Sequence, residues 1–187
     1  MKHSNRLKGL FMAALAAAAA ASALVQPALA GPAEPVVPPA IEVPEGHKVF
    51  LVGHAVGVQI YSCSATASGY GWSFVAPRAD LYDDMGKLIA THFGGPTWEA
   101  RDGSRVVGSV VRRATVDSNA IPWLLLSAAS TASGTDGDRL TATAYIQRIA
   151  TTGGLAPAAS ACTSATAGDT AEVPYTADYY FWKGVGS

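Results

Sequence analysis

The residues best suited to chemistry fall in one run, THFGGPTWEARDGS, residues 91 to 104. An imidazole moves protons near neutral pH and a carboxylate can pair with it, so His92 with Glu99 or Asp102 is chemically sufficient for a secreted hydrolase or lyase. The competing reading is structural: Gly94-Gly95-Pro96 forces a bend, and a hydrogen-bonded His92 facing a packed Trp98 would fix it.

Other chemistries find less support. A metal site would need His92 to meet His47 or His54 and a carboxylate, and no pair of these histidines stands at ligand spacing. Ser104 sits in an Asp-Gly turn rather than a G-x-S-x-G elbow. Gly69-Tyr70-Gly71 is not followed by a helix that would aim amides at a phosphate. Neither a metal nor a cofactor is expected.

The aromatic residues suggest binding instead. Trp72, Trp98, Trp123, Trp182 and the Tyr179-Tyr180 pair are many rings for a small chain. Rings stack on sugar faces, while Asp178, Gln59 or Gln147 can hydrogen-bond hydroxyls. Trp98, His92, Tyr180 and Asp178 are the expected ligand-binding set, and carbohydrate or cell-surface material the expected ligand. The same rings also fill cores, where Trp123 within IPWLLL is placed. Arg105, Arg112, Arg113, Arg139 and Arg148 alternate with apolar residues and read as a solvated face that discourages edge pairing.

The elements that must position these side chains are strands. From Lys48 onward, short apolar or alternating runs are broken by Gly, Pro, Asp and Ser, with no long 3.6-residue periodicity. Strands are expected at 48–53, 56–64, 71–76, 87–93, 105–115, 122–129, 139–150 and 172–182, with at most one short helix near 79–82. Turns are expected at 83–86, 101–104 and 133–138. Eight strands over residues 47–183 predict one all-β domain, an antiparallel sandwich or a barrel. In the last strand Val173, Tyr175, Ala177, Tyr179 and Phe181 share one face, and Thr176, Asp178, Tyr180 and Trp182 the other. Residues 31–46, with five prolines, form an extended linker or a lead-in lying along the sheet. The small, polar loop at 151–170 needs an anchor.

The compartment follows from the N-terminus. Lys2, Arg6 and Lys8 precede an apolar run from Gly9 to Val25, and Ala28-Leu29-Ala30 supplies small residues for cleavage before Gly31. Residues 1–30 thus read as a Sec signal peptide and the protein as periplasmic or extracellular. No later apolar stretch reaches spanning length, so no membrane span is expected after cleavage. Of 187 residues, 49% are hydrophobic and 14% charged, and the formal net charge is −1. That excludes a disordered chain and removes the basic signature of a nucleic-acid binder. Losing three of 13 basic residues and none of 14 acidic ones takes the mature chain to −4. Cys63 and Cys162 both lie in the exported part, where a bridge between them is favoured over two free thiols. Two isolated cysteines do not make a zinc ligand set.

A resemblance spans roughly residues 44 to 183. It is carried by Gly57-Val58-Gln59-Ile60-Tyr61-Ser62-Cys63, by Pro77 with Ala79, Leu81 and Tyr82, and by His92 with Gly95-Pro96-Thr97-Trp98. Asp102-Gly103-Ser104, Ile121-Pro122-Trp123-Leu124-Leu125 and Ile146-Gln147-Arg148 with Thr151 and Gly153-Gly154 continue it. It closes with Ala156-Pro157, Cys162 and Tyr175-Thr176-Ala177-Asp178-Tyr179-Tyr180-Phe181. These phrases resemble the exported bacterial and fungal proteins of domain-of-unknown-function family 3455. The resemblance implies a single exported domain and transfers no catalytic residues. The dehydrogenase labels of some fungal relatives find no Gly-rich strand-to-helix turn here. The expected role is a non-catalytic binding or envelope-associated module, with the His92 hydrolase or lyase as the alternative.

Overall fold

The structure, a computed structural model, describes Met1 and residues 31–186. The segment expected to be a signal peptide, residues 1–30, lies outside the described residues apart from Met1. Eight antiparallel strands run in chain order around one closed barrel: β1 (His47–Thr66), β2 (Gly69–Tyr82), β3 (Leu88–Phe93), β4 (Thr97–Ala100), β5 (Arg105–Ala114), β6 (Trp123–Ala132), β7 (Tyr145–Gly153) and β8 (Thr170–Gly184). The first and last strands close it, pairing from His47↔Gly184 to Ser62↔Thr170. The all-β expectation holds, and the barrel is the alternative realised. Among the described residues, no helix is long and apolar enough to cross a membrane.

Individual elements differ from expectation. The strands expected at 48–53 and 56–64 are one strand of 20 residues. The expected interruption after Gly53 does not occur, and Gly53 and Gly57 are places where strands crowd: a side chain on Gly57 would drive into the backbone of Arg78 and Ala79. The short helix near 79–82 is absent, because β2 continues through Pro77 to Tyr82 and pairs with β3 there. The four-residue β4, absent from the expected strands, is a barrel strand in its own right.

Alternation along each strand sends one set of side chains into the barrel. Leu81, Ile89, Trp98, Val106, Leu126, Leu140, Ile146, Tyr179 and Phe181 fill it. The inward set of β8 is the expected one, since Tyr175, Ala177, Tyr179 and Phe181 are all buried. A second, smaller cluster sits outside the wall. Ile41, fully buried, seats the Pro-rich lead-in against Leu125 and Ile149, with Val37, Val43, Trp123, Tyr145 and Tyr180 around it. Gln147 Nε2 donates to the Ile41 carbonyl at 2.8 Å, and Trp182 Nε1 donates to Gln147 Oε1 at 2.9 Å. Trp123, expected in the main core, therefore packs half-buried under this outer belt.

The two ends of the barrel are built differently. At the lower end, Asp102 Oδ1 accepts the Ser104 amide and hydroxyl at 2.9 and 2.6 Å, while Oδ2 accepts the Arg139 amide at 2.8 Å. Ser104 Oγ in turn accepts the Leu140 amide at 3.1 Å. This network ties the β4–β5 turn to the β6–β7 connection and presses Leu140 into the core as a plug. The turn itself needs Gly103, at φ 80°.

At the upper end the long loop after β7 is anchored by the expected Cys63–Cys162 disulfide, with Cα atoms 5.4 Å apart. Tyr61 adds a second anchor, donating its hydroxyl to the Gly154 carbonyl at 2.7 Å. The wall there is incomplete. β2 pairs with β3 only from Ala79 to Tyr82, and β5 pairs with β4 only from Arg105 to Val107. Above the short β3–β4 hairpin, the upper stretches of β2 and β5 flank a notch.

Candidate functional site

The notch opens on a cavity of about 200 Å³. Phe74, Val75 and Val110 border it, exposed by 54%, 57% and 43%, and Pro77, Pro96, Leu124 and Leu126 extend its apolar wall. An eight-stranded barrel has room inside for its own side chains or for one small ligand. Here the main core fills the lower barrel, and the cavity takes the space beneath the notch.

Four polar side chains enter this apolar space: Gln59 from β1, His92 from β3, Arg148 from β7 and Tyr179 from β8. His92 stacks on Trp98, ring centroids 4.2 Å apart and planes within 8°, with Tyr179 edge-on to both. Its Nδ1 lies 2.9 Å from the Thr97 carbonyl. A carbonyl only accepts, so Nδ1 carries the hydrogen and the neutral ring keeps Nε2 as an acceptor. Burial holds the imidazole in that neutral form. It pushes the pKa from 6.5 to about 3, the Thr97 carbonyl opposes this, and the Arg148 charge reinforces it.

Arg148 is the pocket's one charged residue. Its Nε and Nη2 donate to the Pro122 carbonyl at 3.3 and 2.8 Å, and its charge acts on Tyr179, whose ionisation burial otherwise suppresses. Among the described residues the ion pairs are His54 with Asp84 and Asp178, Arg78 with Glu172, and Arg105 with Glu99. None includes Arg148. Gln59 is 2% exposed and its Nε2 has no hydrogen-bond partner, and Trp98 Nε1 is likewise buried and unpaired.

Of the residues singled out from the sequence, the barrel brings His92 and Trp98 together, facing as register partners on β3 and β4. It separates them from the proposed carboxylates. Glu99 follows Trp98 in the strand and so points out of the barrel, where it pairs with Arg105 Nε at 2.5 Å. Asp102 is held in the lower-end network, and its hydrogen bond from the Ser104 hydroxyl draws its pKa down. Asp178 and Tyr180 lie on the outer wall. Asp178 accepts from His54 Nδ1 at 2.7 Å, Asp84 meets Nε2 at 2.8 Å, and the two carboxylates, Asp84 first, raise the His54 pKa. Tyr180 packs beneath the lead-in. Among the described residues no group of three metal-binding side chains occurs.

Arg148 corrects the reading of the arginines. Arg105, Arg112, Arg113 and Arg139 are exposed, but Arg148 shares the inward face of β7 with Ile146 and pairs across to Leu124 and Tyr179. The period-two spacing from Ile146 could have shown this. It was hidden because Gln147 and Ile149, on the outer face, are equally buried under the lead-in.

Fold and site together define a closed antiparallel meander barrel with an apolar, arginine-bearing pocket under a gap in its wall. A family model described as a protein of unknown function (DUF3455) matches residues 44–183, and the chain belongs to that family. No curated protein and no solved structure matches it.

Proposed function

We propose that the protein is a non-catalytic binding module, acting outside the cytoplasm, whose ligand is a small, largely apolar molecule seated in the notch of the barrel. The observation that carries this reading is the cavity itself: apolar walls around buried donors, Gln59 Nε2 above all, that no protein atom satisfies. A buried donor without a partner destabilises a fold by about 1 to 3 kcal/mol, and a ligand acceptor removes that penalty. The disulfide supports an oxidising compartment.

Catalysis by His92 has little support, because its base strength is suppressed by burial and Glu99 and Asp102 lie elsewhere. Carbohydrate would have to use the outer wall near Tyr180 and Asp178, since Trp98 and Tyr179 are only 1% exposed and offer no open platform.

The test is a thermal-shift panel on the oxidised protein with small aromatic and aliphatic compounds, soluble sugars and wall fragments. A ligand at a hundredfold excess over Kd adds about 2.7 kcal/mol. The apolar compounds are expected to raise the transition, and Val75→Trp, placed at the exposed rim, to abolish that shift without lowering the Tm of the free protein. A shift with sugars that survives Val75→Trp would overturn the pocket reading.

A further inference from the structure

The pocket also carries a sign of charge, an inference that rests on the binding reading above. Arg148 enters a mostly hydrocarbon wall in which Gln59, His92 and Tyr179 are the other polar side chains, all neutral, and no described carboxylate answers it. A guanidinium carries five N–H donors. Two of its nitrogens hold the Pro122 carbonyl and the group also reaches the Tyr179 phenol, which fixes it in place and still leaves hydrogens over. Gln59 lies in the same cavity with two amide hydrogens. It sits near enough to the Tyr175 oxygen to affect that phenol, yet forms no hydrogen bond of ordinary geometry, so donor capacity remains.

A positive charge in a mostly apolar cavity whose other polar groups are neutral favours an anion beside it, and a planar two-oxygen anion suits a guanidinium and an amide donor together. Cavity size limits the rest. An apolar cavity of roughly 150 Å³ holds benzene, so about 200 Å³ holds a ring or short chain with its head group, and the notch lets a longer chain protrude. We propose that the pocket binds a monocarboxylate, its carboxylate held between Arg148 and Gln59 Nε2 and its hydrocarbon part lying along Phe74, Pro77, Val110 and Leu126. The same head group can belong to a compact aryl acid or to a fatty acid.

Calorimetric titration of the full oxidised protein at pH 7 with phenylacetate, decanoate, 2-phenylethanol and decanol tests this. The acids are expected to bind at least tenfold more tightly than their alcohols. Whichever acid leads identifies the source as aryl or acyl, and either outcome supports the assignment. Arg148→Met is expected to remove the preference while keeping alcohol binding. Arg148→Lys, which keeps the charge, is expected to retain part of it and covers the case in which losing the Pro122 contact unfolds the methionine variant. Alcohols binding as tightly as acids would overturn the carboxylate assignment and leave the apolar pocket standing. An acid preference unchanged in folded Arg148→Met would also overturn it. If none of the four compounds binds, the pocket reading falls with it.

Discussion

The two ends of this barrel hold buried polar groups to opposite effect. At the lower end Asp102 accepts three hydrogen bonds, Ser104 both donates and accepts, and Leu140 seals the core behind them. At the upper end Gln59 and Trp98 bury donors that nothing meets, and Arg148 enters the cavity with no described carboxylate to pair it. Satisfied polar groups hold a structure together, whereas unsatisfied ones reduce stability and wait for something else to complete them. The contrast separates the two clusters that the sequence placed in one run. Asp102 serves the closed end and His92 the open one, although only ten positions divide them.

Removing the upper anchor gives the largest expected effect. Cys63→Ala with Cys162→Ala opens a loop of about 100 residues and should lower stability to denaturant by roughly 4 to 5 kcal/mol. Hydrogen exchange should then accelerate in residues 154–169 and stay slow at the Arg139 and Leu140 amides. Equal acceleration at both ends would break the comparison.

Acid should act on the upper end through His92. Its folded pKa, about 3, lies below the ordinary 6.5, so the unfolded chain binds a proton that the folded one refuses. Stability from this group is fully present above about pH 6.5 and falls as pH drops toward 3, by on the order of 4 kcal/mol at the lower limit. His54 has the opposite sign, because its raised pKa gives a contribution present below 6.5 and lost as pH rises through the folded value. NMR of the imidazoles should show His54 titrating above 6.5 and His92 still unprotonated at pH 4.5. A His92 titration near 6.5 would place it in an open, solvated site.

The closed end should give way to Asp102→Ala by about 2 to 3 kcal/mol, because the Ser104 and Arg139 amides lose a charged acceptor. Thermal unfolding reads this, and ligand binding by the surviving folded fraction should be unchanged. The smallest effect is also the sharpest. Gln59→Leu should leave stability unchanged or raise it by up to about 1 kcal/mol, since it removes an unmet donor at similar volume, while weakening binding of phenylacetate. A clear loss of stability would mean that Gln59 belongs to the structural set.

Much of the fold could be read from alternation alone, most clearly in β8, where five spaced apolar positions and their polar neighbours predicted which face is buried. Glycine and proline misled where they serve packing rather than turning. Gly53, where a strand was expected to end, lies in the middle of β1 and leaves room for Leu81, and Pro77 is tolerated because that stretch of β2 extends past the end of β3 and has no partner on that side. The His92–Trp98 pairing was visible in Gly94-Gly95-Pro96. Arg148 was not, because the lead-in buries the outer face of β7 and erases the contrast between its two sides.

The closure of β1 on β8 has a consequence in time. A chain made from its N-terminus finishes β1 first and must hold one flank of it open until residues 170–184 arrive, since its other neighbour is β8. Cys63 waits as long for Cys162, which stands 99 positions later. The seam therefore records whether β8 has been made: a product truncated before Cys162 keeps an unpaired strand edge and a lone thiol side by side, the two features that quality control and aggregation both recognise.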